Sequence, residues 1–178
     1  MNNDSNERKL KPATTRLRRE KRHRLPREHY RGDVNVAFTL CTARKVELFT
    51  DGEVVSVFVA ILTKSVKKHG CIVPIYCFMP DHVHLLVSGQ GESSDAWAAV
   101  VLFKQETGFW LGQHRQEIRW QKDFFDHVLR SDEDLGTQVR YIAGNPVRKN
   151  LVKDWREYPF TRAVEVQLNV TIGSAIIL

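Results

Sequence analysis

The chain has 178 residues, of which 42% are hydrophobic, so it has the size of one domain and enough apolar residues for a buried core. Residues 1–31 hold eleven Lys and Arg against four Asp and Glu, whereas residues 32–178 hold sixteen against seventeen. The net charge of +6 is therefore an N-terminal feature, which excludes a uniformly basic domain. We expect a basic, flexible arm over residues 1–31, a near-neutral domain over residues 32–163, and a tail of unknown role over residues 164–178.

The cysteines and the apolar runs bear on the compartment. Cys41, Cys71 and Cys77 have no CxxC spacing and lie in apolar runs, which is typical of buried free thiols in a reducing compartment. No apolar stretch approaches the roughly 20 residues that span a bilayer, and the N-terminus lacks the apolar middle of a signal peptide. We therefore expect a cytoplasmic protein with no membrane partner.

The basic arm is the first segment of the chain. It has few aliphatic residues and is interrupted by Pro12 and Pro26, which is typical of a poorly ordered segment. Such a run is either a solvated tail or a phosphate-binding segment. In the second interpretation Arg18, Arg19 and Arg22 contact nucleic acid.

A strand and a helix follow the arm. Residues 34–42 have a β-rich composition and predict a first strand. Thr50 and Glu53 have the spacing of a capping box, and apolar residues follow at helical intervals. A helix is therefore predicted to about Lys68, and Gly70 ends it.

The next three elements are two strands and a helix. Residues 71–79 predict a largely buried strand, Pro80-Asp81 is turn chemistry, and residues 82–88 predict a third strand. Ser93 or Ser94 is the expected cap of a second helix over about residues 95–114.

The last two elements complete a known motif. Residues 119–125 predict a short fourth strand, and Ser131 with its acidic neighbours opens a third helix that Pro146 ends. The order strand, helix, strand, strand, helix, strand is that of the split βαβ motif. The sequence therefore predicts an α+β fold, ferredoxin-like and RRM-like, with a central antiparallel sheet and its helices on one face.

The third strand carries two histidines on one side. Because strand side chains alternate, His82 and His84 share one face while Val83, Leu85 and Val87 share the other. The apolar set can face the core while two imidazoles converge on one point, as chelation of a metal ion requires. The alternative is a surface histidine pair on a half-exposed strand.

The third helix carries a tyrosine beside its apolar stripe. At about 100° per residue, Leu135, Val139 and Ile142 form the stripe that packs on the sheet. Tyr141 and Asn145 are i and i+4 on a neighbouring face. This pair is placed for chemistry at the rim of the core, or else the tyrosine only covers the core edge with its hydroxyl in water.

Three ordered strings resemble the REP-associated tyrosine transposases, which belong to the HUH single-tyrosine nucleases. They are MPDHVHLL at 79–86, WQKDFFDHVLR at 120–130 and YIAGNPVRKNLV at 141–152. RLPR at 24–27 and WREYPF at 155–160 fit as well, so the resemblance covers residues 24–162. Asn150 stands where the family often has Gly, and Asn also tolerates a left-handed turn.

The resemblance implies an enzyme of DNA transposition and recombination, an endonuclease that nicks and rejoins single-stranded DNA at hairpin-forming repeats. It implies that His82, His84 and Asn145 bind a divalent cation, Mg²⁺ or Mn²⁺, which polarises the scissile phosphate. It implies that Tyr141 is the nucleophile and forms a 5′-phosphotyrosine link. The bond energy is kept in that link, so rejoining needs no ATP.

The implied partner is single-stranded or hairpin DNA in the bacterial nucleoid, and the sequence leaves open whether the protein acts as a monomer or a homodimer. Candidate DNA contacts outside the arm are basic residues, which are otherwise solvated, and aromatic rings that either stack on unpaired bases or belong to the core. They are Lys104, Trp120, Phe125, Arg130, Arg148 and Lys149. Two alternatives stay open: a non-catalytic nucleic-acid-binding module on the same fold, and a nuclease of the rolling-circle initiator or relaxase type.

Overall fold

The computed structural model describes residues 24–130 and 133–164. The predicted contacts of Arg18, Arg19 and Arg22 lie outside the described residues, as do Ser131 at the predicted opening of the third helix and the tail beyond Val164.

Five strands form one antiparallel sheet. They are β1 (Asn35–Cys41), β2 (Cys71–Met79), β3 (His82–Gly89), β4 (Phe125–Val128) and β5 (Thr161–Val164). Their order across the sheet is β4-β1-β3-β2-β5. The first four strands have the predicted split βαβ connectivity, and β5 extends the sheet beside β2.

In the described part of the chain, four α-helices accompany the sheet. They are α1 (Gly52–Lys68), α2 (Ala96–His114), α3 (Leu135–Ala143) and the four-residue α4 (Asn145–Arg148). Within residues 24–130 and 133–164, no helix is both long enough and apolar enough to cross a membrane.

Alternating side chains of the sheet divide the core into two clusters. Val83, Leu85 and Val87 of β3 belong to the cluster that α1 and α2 cover. Leu86 of β3 packs instead with Ile142 of α3 on the opposite face. The α+β fold with a central antiparallel sheet is confirmed, but α3 lies on the other face from α1 and α2. Because β2 and β3 carry apolar residues on both faces, each face needs a helical cover.

The helix caps differ from the predicted ones. Asp51, not Thr50, caps α1, and Asp95, not Ser93 or Ser94, caps α2. In each case the carboxylate accepts a backbone N–H of the first turn at 2.8 Å, and α3 likewise begins after an aspartate. A carboxylate adds negative charge at the positive end of the helix, which favours it over a nearby hydroxyl.

The fourth strand and the end of the third helix also differ from the prediction. The strand is Phe125–Val128, whereas in the predicted range of 119–125 Trp120 makes only an isolated bridge with Thr42. Pro146 does not end the helical region, because it lies in the first turn of α4, where its missing N–H costs nothing.

The described part of the predicted arm packs against the domain. Tyr30 is fully buried, and its hydroxyl donates to Asp126 Oδ2 at 2.5 Å. The guanidinium of Arg24 lies 4.6 Å from the ring centroids of both Trp97 and Phe124 and donates to the Phe124 carbonyl at 2.8 Å. Arg24 and Tyr30, which the charge distribution alone had assigned to the arm, therefore contact the domain.

Candidate active site

His82 and His84 of β3 lie on the face of the sheet that α3 covers. The register pairs His84 with Thr39 of β1 and places Leu86, two residues further along β3, in the α3 cluster. The two Nε2 atoms are 3.1 Å apart, and the rings are nearly perpendicular, with an interplanar angle of 88°. The imidazoles therefore converge on one point, as their spacing in the strand predicts.

The second nitrogen of each imidazole has a fixed partner. His82 Nδ1 is 2.5 Å from Asp81 Oδ1, and His84 Nδ1 is 2.9 Å from Thr39 Oγ1. Since a carboxylate only accepts, Nδ1 of His82 carries the proton. Burial lowers the pKa of His84 to about 4, and the charges of His82 and Arg148 act in the same direction, so this ring is neutral at pH 7. Its Nδ1–H can donate to the Thr39 hydroxyl, which leaves both Nε2 lone pairs directed at the shared point.

Backbone hydrogen bonds hold the turn that carries Asp81. The N–H of Thr42 donates to the Asp81 carbonyl at 2.9 Å, and its hydroxyl lies 3.0 Å from the same oxygen. The N–H groups of Leu48 and Phe49 both donate to the Pro80 carbonyl, at 2.7 and 3.0 Å. The peptide groups before and after Asp81 are therefore both held by residues 42–49.

The same loop brings a cation to Asp81. Arg44 and Lys45 both have left-handed backbone conformations, with φ of 59° and 57°, which cost about 1–2 kcal/mol each. Lys45 Nζ lies 3.4 Å from Asp81 Oδ2. Burial alone raises the pKa of Asp81, but the hydrogen bond and charge of His82, together with Lys45, lower it overall. Asp81 is therefore ionised at neutral pH and accepts from His82 as a carboxylate.

The two imidazoles fit adjacent positions around one metal ion. Nitrogens about 2.1 Å from an ion and 3.1 Å from each other subtend about 95° at it, close to the right angle of octahedral coordination. Among residues 24–130 and 133–164, no third His, Cys, Asp or Glu joins the pair in a metal-binding group. Within the described residues, the histidine pair therefore offers two nitrogen ligands without a neighbouring thiolate or carboxylate ligand.

Tyr141, near the end of α3, and Asn145, the first residue of α4, are four residues apart. The tyrosine is 54% exposed, while Asn145 is buried. Nδ2 of Asn145 donates to the carbonyls of Ile142 at 3.1 Å and Tyr141 at 3.3 Å. This leaves Oδ1 as the atom of the amide that can approach an ion.

Arg148 of α4 lies over the tyrosine ring, and its charge acts on His84. Its guanidinium lies 4.3 Å from the centroid of the Tyr141 ring and donates to the Tyr141 carbonyl at 2.5 Å. Its charge also contributes to the lowered pKa of His84. A phosphate that approaches both groups therefore meets a cation that is already in place.

The other predicted DNA contacts are dispersed. Arg130 and Lys149 are exposed, at the ends of β4 and α4. The ring of Trp120 packs against three core phenylalanines, and its indole N–H donates to Thr107 at 2.9 Å. Trp120 is therefore a packing residue rather than an exposed stacking platform, because its ring completes the aromatic cluster under α1 and α2.

Lys104 lies far from the histidines, in an open groove beside α2. The groove has a volume of about 830 Å³, and Lys104 crosses it to donate to the Lys122 carbonyl at 2.6 Å. Four basic residues line it: Arg24, Lys104, Arg119 and Lys122. The groove and the histidine pair lie on opposite faces of the sheet.

Of the residues that orient the histidines or pair with their partners, the sequence singled out Asp81 but not Thr39 or Lys45. The only feature of the sequence that could have pointed to Thr39 is its polarity between the apolar residues Phe38 and Leu40. No feature of the sequence pointed to Lys45. For Asp81 the sequence left two roles open, a turn residue or a partner that orients an imidazole, and in the structure its carboxylate lies 2.5 Å from His82 Nδ1. These partners depend on strand register and loop packing, which are not local in the sequence.

Comparison with known proteins places the chain in a family. Residues 30–145 match the family described as Transposase IS200 like. The chain is 32% identical over 108 residues to a REP-associated tyrosine transposase of Haemophilus influenzae, a match that covers 52% of this chain and 60% of that protein. It is 31% identical over 88 residues to the REP-associated tyrosine transposase of Escherichia coli, covering 47% and 48%. The chain thus spans about half to three fifths of these curated relatives.

A solved structure shows the same fold. It is that of a REP-associated tyrosine transposase bound to a REP hairpin, with a TM-score of 0.65, 22% identity, and coverage of 78% of this chain and 82% of that one. At 22% identity this likeness concerns the fold. Because the family match covers more than half of its length, the chain belongs to the IS200-like transposase family.

Proposed function

We propose that this protein is a metal-dependent transposase and endonuclease that nicks and rejoins single-stranded DNA at hairpin-forming repeats. The observation that carries the proposal is the convergence of two imidazole Nε2 atoms, 3.1 Å apart, on the sheet face covered by the tyrosine helix. The curated relatives named as REP-associated tyrosine transposases support this choice of substrate. We expect the protein in the cytoplasm, with the bacterial nucleoid.

Tyr141 is the proposed nucleophile. Its Oη forms a bond to the scissile phosphorus while the bond from phosphorus to the 3′-oxygen breaks, and the proton lost by the phenol is balanced by protonation of that oxygen. The products are a 5′-phosphotyrosine link and a free 3′-hydroxyl. Arg148, 4.3 Å above the tyrosine ring, offsets the negative charge of the phosphate. Attack by a 3′-hydroxyl reverses the step and rejoins DNA.

The metal ligands in this proposal are Nε2 of His82 and His84 and Oδ1 of Asn145. A bound divalent ion supplies positive charge that polarises the scissile phosphate. Asp81 and Thr39 hold the two rings in the orientation that presents Nε2. Imidazole is a poor ligand for Mg²⁺, so we expect Mn²⁺ to bind at least as well.

The test is covalent capture of the DNA. The protein is incubated with a hairpin oligonucleotide that has single-stranded flanks and Mn²⁺, and a denaturation-resistant adduct is sought. The wild-type protein should form the adduct, and Tyr141→Phe should not form it. Tyr158→Phe is the control: it removes a buried hydroxyl elsewhere and should still form the adduct. A wild-type protein that binds the hairpin without forming an adduct would be a non-catalytic binding module instead.

A further inference from the structure

We propose that Phe125 stacks on an unpaired base close to the scissile phosphate. In this role it positions the DNA strand in the active site without selecting a particular base. This inference rests on the proposed function, since it concerns the same DNA. It assigns a role to an aromatic side chain that neither the nucleophile nor the metal ligands explain.

The register places Phe125 on the active face. Thr39 of β1 pairs with His84 on one side and with Phe125 on the other, and paired residues of antiparallel strands point to the same face. The hydrogen bond between Thr39 Oγ1 and His84 Nδ1 confirms which face this is. Two strand spacings separate Phe125 from His84, or about 10 Å, a distance that a few nucleotides can span.

The exposure of Phe125 has no packing explanation. Phe125 is 71% exposed, whereas the preceding residue, Phe124, is 9% exposed and packs edge-on against Phe38 in the core. The alternation of the strand accounts for the different faces but not for a large apolar ring in water. Transfer of such a ring to water is unfavourable, and every base offers a π-face that can cover it.

The surroundings favour a single nucleic-acid strand over a second protein chain. β4 has only four residues and stands at the edge of the sheet, so it offers little backbone for pairing with another strand. The next side chain on the same face, His127, is paired with Glu133 at 2.9 Å, so the phenyl ring is the apolar part of this edge. Thr39 lies between Phe125 and His84 in the sheet. DNA that reaches the histidine pair would therefore also reach the Phe125 ring.

The first experiment measures affinity with two variants. Phe125→Ala is compared with Phe109→Ala, which removes an equally exposed ring, 69% exposed, from α2 on the other side of the sheet. The ligands are a hairpin with a single-stranded flank and the same hairpin without it. Phe125→Ala should weaken binding of the flanked hairpin by about 5- to 150-fold and leave the blunt hairpin unchanged. Phe109→Ala should change the affinity for neither hairpin. Phe125→Trp, which keeps an aromatic ring at this position, should bind the flanked hairpin as tightly as wild type.

The second experiment identifies the stacked base. Abasic sites are introduced one at a time along the flank, and each is tested with wild type and Phe125→Ala. One position should weaken wild-type binding without weakening Phe125→Ala any further, because both changes remove the same stack. Equal effects of every abasic site in both proteins would overturn the inference. So would a Phe125→Ala protein that binds like wild type but no longer self-associates, which would make the ring a contact between chains.

These outcomes separate the inference from the function on which it rests. If wild type forms the Tyr141 adduct and Phe125→Ala binds flanked DNA as wild type does, only the stacking role fails. If wild type forms no adduct at all, the enzymatic proposal fails, and the abasic-site coupling still reports whether Phe125 stacks on a base.

Discussion

Because Asp81 accepts a hydrogen bond from His82, we expect substitution of Asp81 to weaken metal binding by an amount that can be measured. Partners that hold a ligating imidazole typically change metal affinity by about 10- to 100-fold when they are removed. Asp81→Asn keeps an acceptor near His82 Nδ1 but loses the negative charge, so we expect about a tenfold rise in the Mn²⁺ concentration that half-saturates adduct formation. Asp81→Ala loses the acceptor as well, and we expect about a hundredfold rise, or roughly 2.7 kcal/mol.

The assay is adduct formation against Mn²⁺ concentration at saturating hairpin DNA. Asp95→Asn is the matched control, because the Asp95 side chain is 15% exposed against 20% for Asp81 and is also paired with cations, but at the other face of the sheet. It should leave the half-saturating concentration unchanged. The reasoning is refuted if both Asp81 variants need no more Mn²⁺ than wild type, or if Asp95→Asn needs as much as Asp81→Asn.

Three further predictions concern the arm and the fold. Deletion of residues 1–23 should weaken hairpin binding, most strongly at low salt, while adduct formation on saturating DNA keeps its rate; equal binding in a salt titration would make the arm a solvated tail. Asn150 has a φ of 56°, so Asn150→Ala should lower the free energy of unfolding by about 1 kcal/mol and Asn150→Gly by less than about 0.5 kcal/mol in urea titrations. Tyr158 donates to the buried Phe78 carbonyl at 2.8 Å, so Tyr158→Phe should lose about 1–2 kcal/mol by the same measurement, and an unchanged midpoint would contradict that reasoning.

The parts of the site that follow from local periodicity were predictable. Alternation along β3 sufficed to place His82 and His84 together, because two residues of one strand need no information from elsewhere in the chain. The helical repeat likewise placed Tyr141 beside Asn145. The α3 stripe was predicted to pack on the sheet, and Ile142 does so.

The parts that depend on contacts between distant segments were not predictable. Helix α3 covers the face of β2 and β3 that α1 and α2 leave open. The sequence does not show which face that is, because β2 is apolar on both sides. Phe124 and Phe125 look alike in the sequence, and only the pairing of β4 with β1 buries the first and exposes the second. The position of Thr39 opposite His84 follows from the same register, which a single sequence does not contain.

The two faces of the sheet constrain any nucleic acid that uses both. The groove lined by Arg24 and Lys104 is on one side, the histidine pair on the other, and β4 is the edge between them. Bending a duplex of 20–30 base pairs by 40–90° costs about 1–6 kcal/mol, because duplex DNA is stiff over about 150 base pairs. A DNA molecule that contacted the groove and the histidines at once would avoid that cost if it were unpaired where it passes Phe125, so this arrangement favours a junction between double and single strands over a continuous duplex.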